Sequence, residues 1–136
     1  MPSPHSNRSL GELKDVKCET KIVPSFFEYI KAGFKISLIG TIDFTYSNRT
    51  TRNPSSLHYI GNPKNQYINC LTSVTKILDK YDSDGKYPFF GFGAIPTFMG
   101  ATEVSHCFPL NGNTADPHIT GVDNVLATYK ELVNQV

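Results

Sequence analysis

Asp43, Thr45 and Ser47 place one carboxylate and two hydroxyls at alternate positions in Ile42-Asp43-Phe44-Thr45-Tyr46-Ser47-Asn48. All three are hard oxygen donors, the kind that magnesium or manganese accepts. They follow Ile36-Ser37-Leu38-Ile39-Gly40-Thr41-Ile42, a mostly apolar run that reads as a strand buried on both faces of a mostly parallel sheet. In open α/β sheets, ligands sit just outside the carboxyl ends of the strands. The loop after this strand is therefore the candidate metal site. Three side chains leave part of an octahedral shell to other ligands such as water.

Other chemically active types carry less. Asp82-Ser83-Asp84-Gly85 invites a calcium-loop reading. Taking Asp82 and Asp84 as third and fifth ligands, however, puts Lys80 first and Gly91 where a glutamate is required. The stretch reads as a surface turn. Gly91 and Gly93 resemble the start of a dinucleotide fingerprint, yet Pro96 stands where the third glycine belongs. His58 and His106 lack a cysteine or histidine partner at metal spacing and read as packing or surface residues. Cys107 beside His106 is not read as a nucleophile, because adjacent strand residues point to opposite faces. Arg49 and Arg52 read as part of a solvated loop, with phosphate contact as the alternative.

The 136 residues have room for one modest domain. A net charge of +1 gives no electrostatic footprint for nucleic acid. No basic helix suggests direct membrane attachment, and no run approaches the roughly 20 apolar residues of a span. Met1-Pro2-Ser3-Pro4 opens a polar stretch with neither a signal-peptide core nor a myristoylation glycine. Cys18, Cys70 and Cys107 are odd in number and widely spread, which reads as reduced thiols in a cytosolic protein. The sequons at Asn7 and Asn48 are then chance matches.

Residues 1–9 are polar and proline-bearing and are expected to be disordered. Weak alternation over 10–22 predicts one or two short strands, and Pro24-Ser25 starts a helical turn over 26–30 closed by Gly33. The 49–64 stretch is a long loop in which Leu57, His58, Tyr59 and Ile60 form a small apolar anchor. Asn65 caps a helix running to about Tyr81, with Tyr67, Leu71, Val74, Leu78 and Tyr81 as its stripe and Cys70 and Ile77 widening it. Residues 89–94 form a second strand. Residues 104–110 form a third, in which Pro109 fits an edge or strand end. A last helix covers 121–133, with Thr120 and Asp123 at capping-box spacing. Strand, helix, strand, strand, helix is the first half of a doubly wound α/β domain.

Several segments together resemble copines. They are Ser25-Phe26-Phe27-Glu28-Tyr29-Ile30, Ile42-Asp43-Phe44-Thr45-Tyr46-Ser47-Asn48 and Ser56-Leu57-His58-Tyr59-Ile60, followed by Tyr81-Asp82-Ser83-Asp84, Gly91-Phe92-Gly93-Ala94, Val104-Ser105-His106 and Gly121-Val122. The likeness runs from about Gly11 to the last residue. Copines carry two C2 domains, which bind phospholipid in a calcium-dependent way, followed by a von Willebrand factor A-like domain. The resemblance implies that residues 1–22 are a disordered tail with the remnant of the second C2 domain and its linker. Residues 23–136 would be an incomplete A-like domain, the N-terminal half of an α/β, Rossmann-like doubly wound sheet.

On this resemblance Asp43, Thr45 and Ser47 map onto the first motif of a metal-ion-dependent adhesion site, with magnesium or manganese at an incomplete set of ligands. The family's further threonine and aspartate lie in G-P-T-N-type and T-D-G segments that do not occur here. Thr120 reads as a helix cap rather than a substitute. Calcium enters only through C2 loops, which are absent.

The expectation is a non-catalytic module that recruits protein partners. Cytoplasmic location and calcium-dependent association with plasma-membrane phospholipid belong to full-length relatives. An A-like sheet places its first strand centrally, so 36–42 would be left as an apolar edge, giving marginal stability or self-association. One alternative is the copine portion of a RING-type ubiquitin ligase, although no RING cysteine/histidine cluster is present. Another is an aspartyl-phosphate phosphotransferase with Asp43 as nucleophile, although no downstream lysine and acidic pair can be identified.

Overall fold

The sheet starts where Gly40 meets Phe89. In a computed structural model, which describes residues 11–12, 14, 16–48, 50–61 and 65–136, strand β1 (Gly40–Asp43) runs parallel to β2 (Lys86–Phe92). Ile42 lies opposite Gly91, and Asp43 opposite Phe92. The expected strand is thus shortened to four residues, because the residue before Phe89 is Pro88, which has no amide hydrogen to extend the ladder.

Two further strands pair with β2, both antiparallel. They are β3 (Phe108–Pro109) and β4 (His118–Thr120). The sheet is therefore mixed rather than mostly parallel. The third strand contracts to two residues, with Pro109 at its end as expected and one isolated bridge between Ala94 and Ser105. Thr120 belongs to β4 rather than to a helix cap. Its carbonyl accepts from Asn124 Nδ2, and no side chain caps the helix that follows.

The chain divides into two compact units, Met1–Gly33 and Phe34–Val136. In the first, Ser25 caps helix α1 (Phe26–Lys31). Its hydroxyl takes the Glu28 amide while the Glu28 carboxylate takes the Ser25 amide, a reciprocal pair that satisfies two otherwise orphan donors. Among the described residues before α1 no strand forms, in contrast to the one or two expected over 10–22. The tail read over 1–9 lies outside the described residues.

In the second unit, Asn65 caps α2 (Gln66–Leu78) by accepting from the Ile68 amide. Helix α3 (Val122–Leu132) packs against α2, β2 and β4. Ile42, Tyr87 and Phe89 meet Leu71 of α2 and Val125, Tyr129 and Leu132 of α3 in one core. The two faces of β1 are unequal: Ile42 is 1% exposed, whereas Thr41 is exposed. The strand is not buried on both faces. Within this unit the core helices meet the side carrying Ile42 and Tyr87.

Candidate functional site

The β1 register carries Asp43 to the end of the parallel pair, and the next peptide unit is held there by the Phe44 amide donating to the Phe92 carbonyl at 2.9 Å. The chain then folds into a short 3-10 turn, Tyr46–Asn48, closed by the Asn48 amide on the Thr45 carbonyl. This turn brings together the three oxygen-bearing side chains singled out from the sequence. The Thr45 amide donates to Asp43 Oδ1 at 2.8 Å, and Thr45 Oγ1 lies 2.9 Å from Ser47 Oγ.

Partial burial pushes the Asp43 carboxyl up, but hydrogen bonds from the Thr45 hydroxyl and amide and from Asn48 outweigh it and hold the group below the ordinary range. Asp43 is therefore ionised at neutral pH. The donor set suits a small hard cation. The two hydroxyls hydrogen-bond to each other at 2.9 Å, a separation that two neighbouring ligands of an octahedral ion at about 2.0–2.1 Å also have. Among the described residues no three His, Cys, Asp or Glu side chains converge as a metal-holding group, so any ion here would rest on one carboxylate and hydroxyl oxygens.

Behind the loop stands a network that sequence reading did not find. The Asp43 main-chain carbonyl accepts from Asn48 Nδ2 at 2.8 Å, His58 Nε2 at 2.8 Å and the Tyr67 hydroxyl at 3.1 Å. The other ring nitrogen of His58 lies 3.0 Å from the Tyr129 hydroxyl. His58 is 3% exposed, stacked between Phe44 and Tyr67 with centroids 5.1 and 4.3 Å away. Burial lowers its pKa, against the opposing pull of the Asp43 carbonyl and carboxylate. Ser56 ties the network to the long loop, donating to the Asn48 carbonyl and accepting from the His58 amide. The anchor of that loop is thus His58, while Leu57 and Ile60 are exposed. The signal was present in the sequence as an imidazole in a polar loop, a group that needs two partners if it is buried.

Two grooves open beside the turn. One, of about 730 Å³, is lined by Thr45, Arg52, Gly93, Ile95 and Val133 among others. The second, of about 470 Å³, is lined by Tyr46, Ser47, Thr50 and Asn53. Arg49 lies outside the described residues. His106 and Cys107 are exposed and take no part. Asp82 closes its own turn, Oδ1 accepting the Asp84 and Gly85 amides, in keeping with a surface turn.

A family model described as Copine matches residues 56–136. Two curated relatives from Arabidopsis thaliana are each 39% identical. Protein BONZAI 1 aligns over 107 residues, 77% of this chain and 18% of its own length. Protein BONZAI 2 aligns over 128 residues, 92% of this chain and 21% of its own length. The chain spans about a fifth of the length of these relatives.

Proposed function

The chain belongs to the copine family, and from that premise we propose that it carries the first motif of an adhesion-type metal site in a von Willebrand factor A-like domain. Asp43, Thr45 and Ser47 supply three oxygen ligands for magnesium or manganese. The remaining positions go to water and to an acidic side chain of a protein partner. The module works by recruitment, without a catalytic residue of its own. Calcium-dependent phospholipid binding, and with it residence at the cytoplasmic face of the plasma membrane, is assigned to the C2 domains of whole family members rather than to residues of this chain.

The observation that carries this reading is the pair of hydroxyls 2.9 Å apart beside an ionised Asp43. A bound ion would supply positive charge with open positions. The chain's own residues hold the donors in place before the ion arrives.

Thermal unfolding with added magnesium or manganese tests it, with Asp43→Ala as control. Ion at about 100 times its Kd adds roughly 2.7 kcal/mol of stability, which raises the Tm by about 5–10 °C for a chain of this size. The rise is expected in the natural sequence and absent in Asp43→Ala. A Tm indifferent to both ions in the natural sequence overturns the reading.

A further inference from the structure

We propose that Tyr129 locks His58 in the Nε2–H tautomer, and that His58 so held is a positioning residue that fixes the Asp43 carbonyl and with it the 43–47 loop. The hydrogen-bond roles follow by elimination. A main-chain carbonyl only accepts, so the ring nitrogen 2.8 Å from Asp43 O must carry the proton. In a neutral imidazole the other nitrogen then accepts, so the Tyr129 hydroxyl 3.0 Å away must donate. The Tyr67 hydroxyl donates to the same carbonyl and accepts from Asn48 Nδ2 at 3.1 Å. Every donor in the cluster has one consistent direction.

The effect reaches the loop through one peptide unit. Three donors converge on the carbonyl of Asp43, which has only two lone pairs. The amide on the other side of that unit is held by Phe92. With both ends fixed, the 43–44 peptide plane cannot rotate, and the Asp43 side chain and Thr45 leave it in set directions. The flipped tautomer would turn a lone pair of His58 towards the carbonyl and replace attraction by repulsion. A hydroxyl on α3 thus sets the geometry of a loop in which it has no direct bond. The use of this rigidity rests on the metal reading above, but the rigidity itself can be measured without any ion.

The test has three readouts. Long-range ¹H–¹⁵N spectra of the His58 ring in the natural sequence report the tautomer directly. A proton on Nε2 is expected, and a proton on Nδ1 overturns the proposal. Amide exchange of Thr45 and Asn48 is then compared with that of Gly91 in the sheet, in Tyr129→Phe and in His58→Gln, with Ile77→Ala, exposed on α2, as control. Loop exchange is expected to rise at least about tenfold beyond the change at Gly91 in both network variants and not in the control. Loop amides that merely follow Gly91 overturn it. Manganese chloride titration, read by calorimetry, gives the third. Tyr129→Phe is expected to weaken binding about tenfold while Ile77→Ala leaves it unchanged, and equal affinity in Tyr129→Phe counts against the proposal. If the natural sequence takes up no manganese, the metal reading falls, and the tautomer and exchange results still decide this one.

Discussion

Gly93 leaves the space that Thr45 occupies. A side-chain carbon at Gly93 would lie 2.3 Å from Thr45 Cγ2 and 3.2 Å from Thr45 Cα, and the backbone there has φ +79°. The glycine follows β2 directly, so the sheet delivers a bare stretch of main chain against the candidate metal loop. The glycine pair at 91 and 93 serves packing: a carbon at Gly91 would meet the Phe108 ring at 2.5 Å. No phosphate cradle is needed to explain either position.

Gly93→Ala should therefore act on the loop as well as on stability. The positive φ costs an L-residue about 1–2 kcal/mol, and crowding adds about 1–3 kcal/mol. Urea unfolding is expected to show a loss of roughly 2–5 kcal/mol, with the Thr45 amide resonance displaced. A variant within about 0.5 kcal/mol of the parent would mean that Thr45 moves aside without cost.

Tyr87→Phe probes the join between sheet and helix. Tyr87 is fully buried in β2, and its hydroxyl donates to Asp79 Oδ1 at 2.5 Å, just past the end of α2. Hydrogen bonds to charged groups contribute about 1.5–3 kcal/mol, but Asp79 is exposed and regains water when the hydroxyl is removed. The expected loss is about 1 kcal/mol at neutral pH. Urea unfolding of the two proteins at pH 7 measures it, and equal stability would mean that the hydroxyl contributes nothing to the join.

Tyr129 predicts an alkaline weakness. Burial pushes its phenol up to about 12, and Tyr67 and Tyr87 move in the same direction. A pKa raised on folding means that the native state holds the proton more tightly. The associated stability is complete below about pH 10 and is lost as pH climbs towards about 12. Tyr129 alone accounts for at most about 3 kcal/mol of that fall. Denaturation midpoints between pH 9 and 12, with phenolate absorbance alongside, should decline more gently in Tyr129→Phe. An unchanged slope would place the sensitivity on the other two tyrosines.

What was legible in the sequence was local. Asn65 and the apolar run it precedes announced α2, and Asp43-x-Thr45-x-Ser47 announced a turn of oxygen donors, because each is written in consecutive residues. The stripe of α2 was read less well. Val74 and Ile77 are exposed while Thr75 is buried, its hydroxyl satisfied by the Leu71 carbonyl one turn back. Strand β4 was missed because three residues around one buried isoleucine show no period, and only its pairing with Lys86–Pro88 makes it a strand. The support of the site was hidden for the same reason. His58 meets Asp43 across 15 positions and Tyr129 across 71, a relation that no spacing rule contains.

The open side of β1 carries the last prediction. β1 pairs with β2 along one edge, and among the described residues no strand pairs with the other. Just ahead of it Ile39 is 67% exposed, and Thr41 within it faces outward. An unpaired edge beside an exposed β-branched residue is a template for another strand. A second copy can meet it about a two-fold axis, which pairs the two β1 strands antiparallel. Four residues give few hydrogen bonds, so the association should be weak, with exposed Ile39 adding apolar contact. Sedimentation velocity is expected to show a rising weight-average mass between about 10 and 500 μM, the range of weak contacts near −5 to −7 kcal/mol. Ile39→Lys should move the midpoint at least about tenfold higher, because a charge beside the edge must be desolvated on pairing. A chain that stays monomeric throughout, or one indifferent to Ile39→Lys, would overturn this prediction.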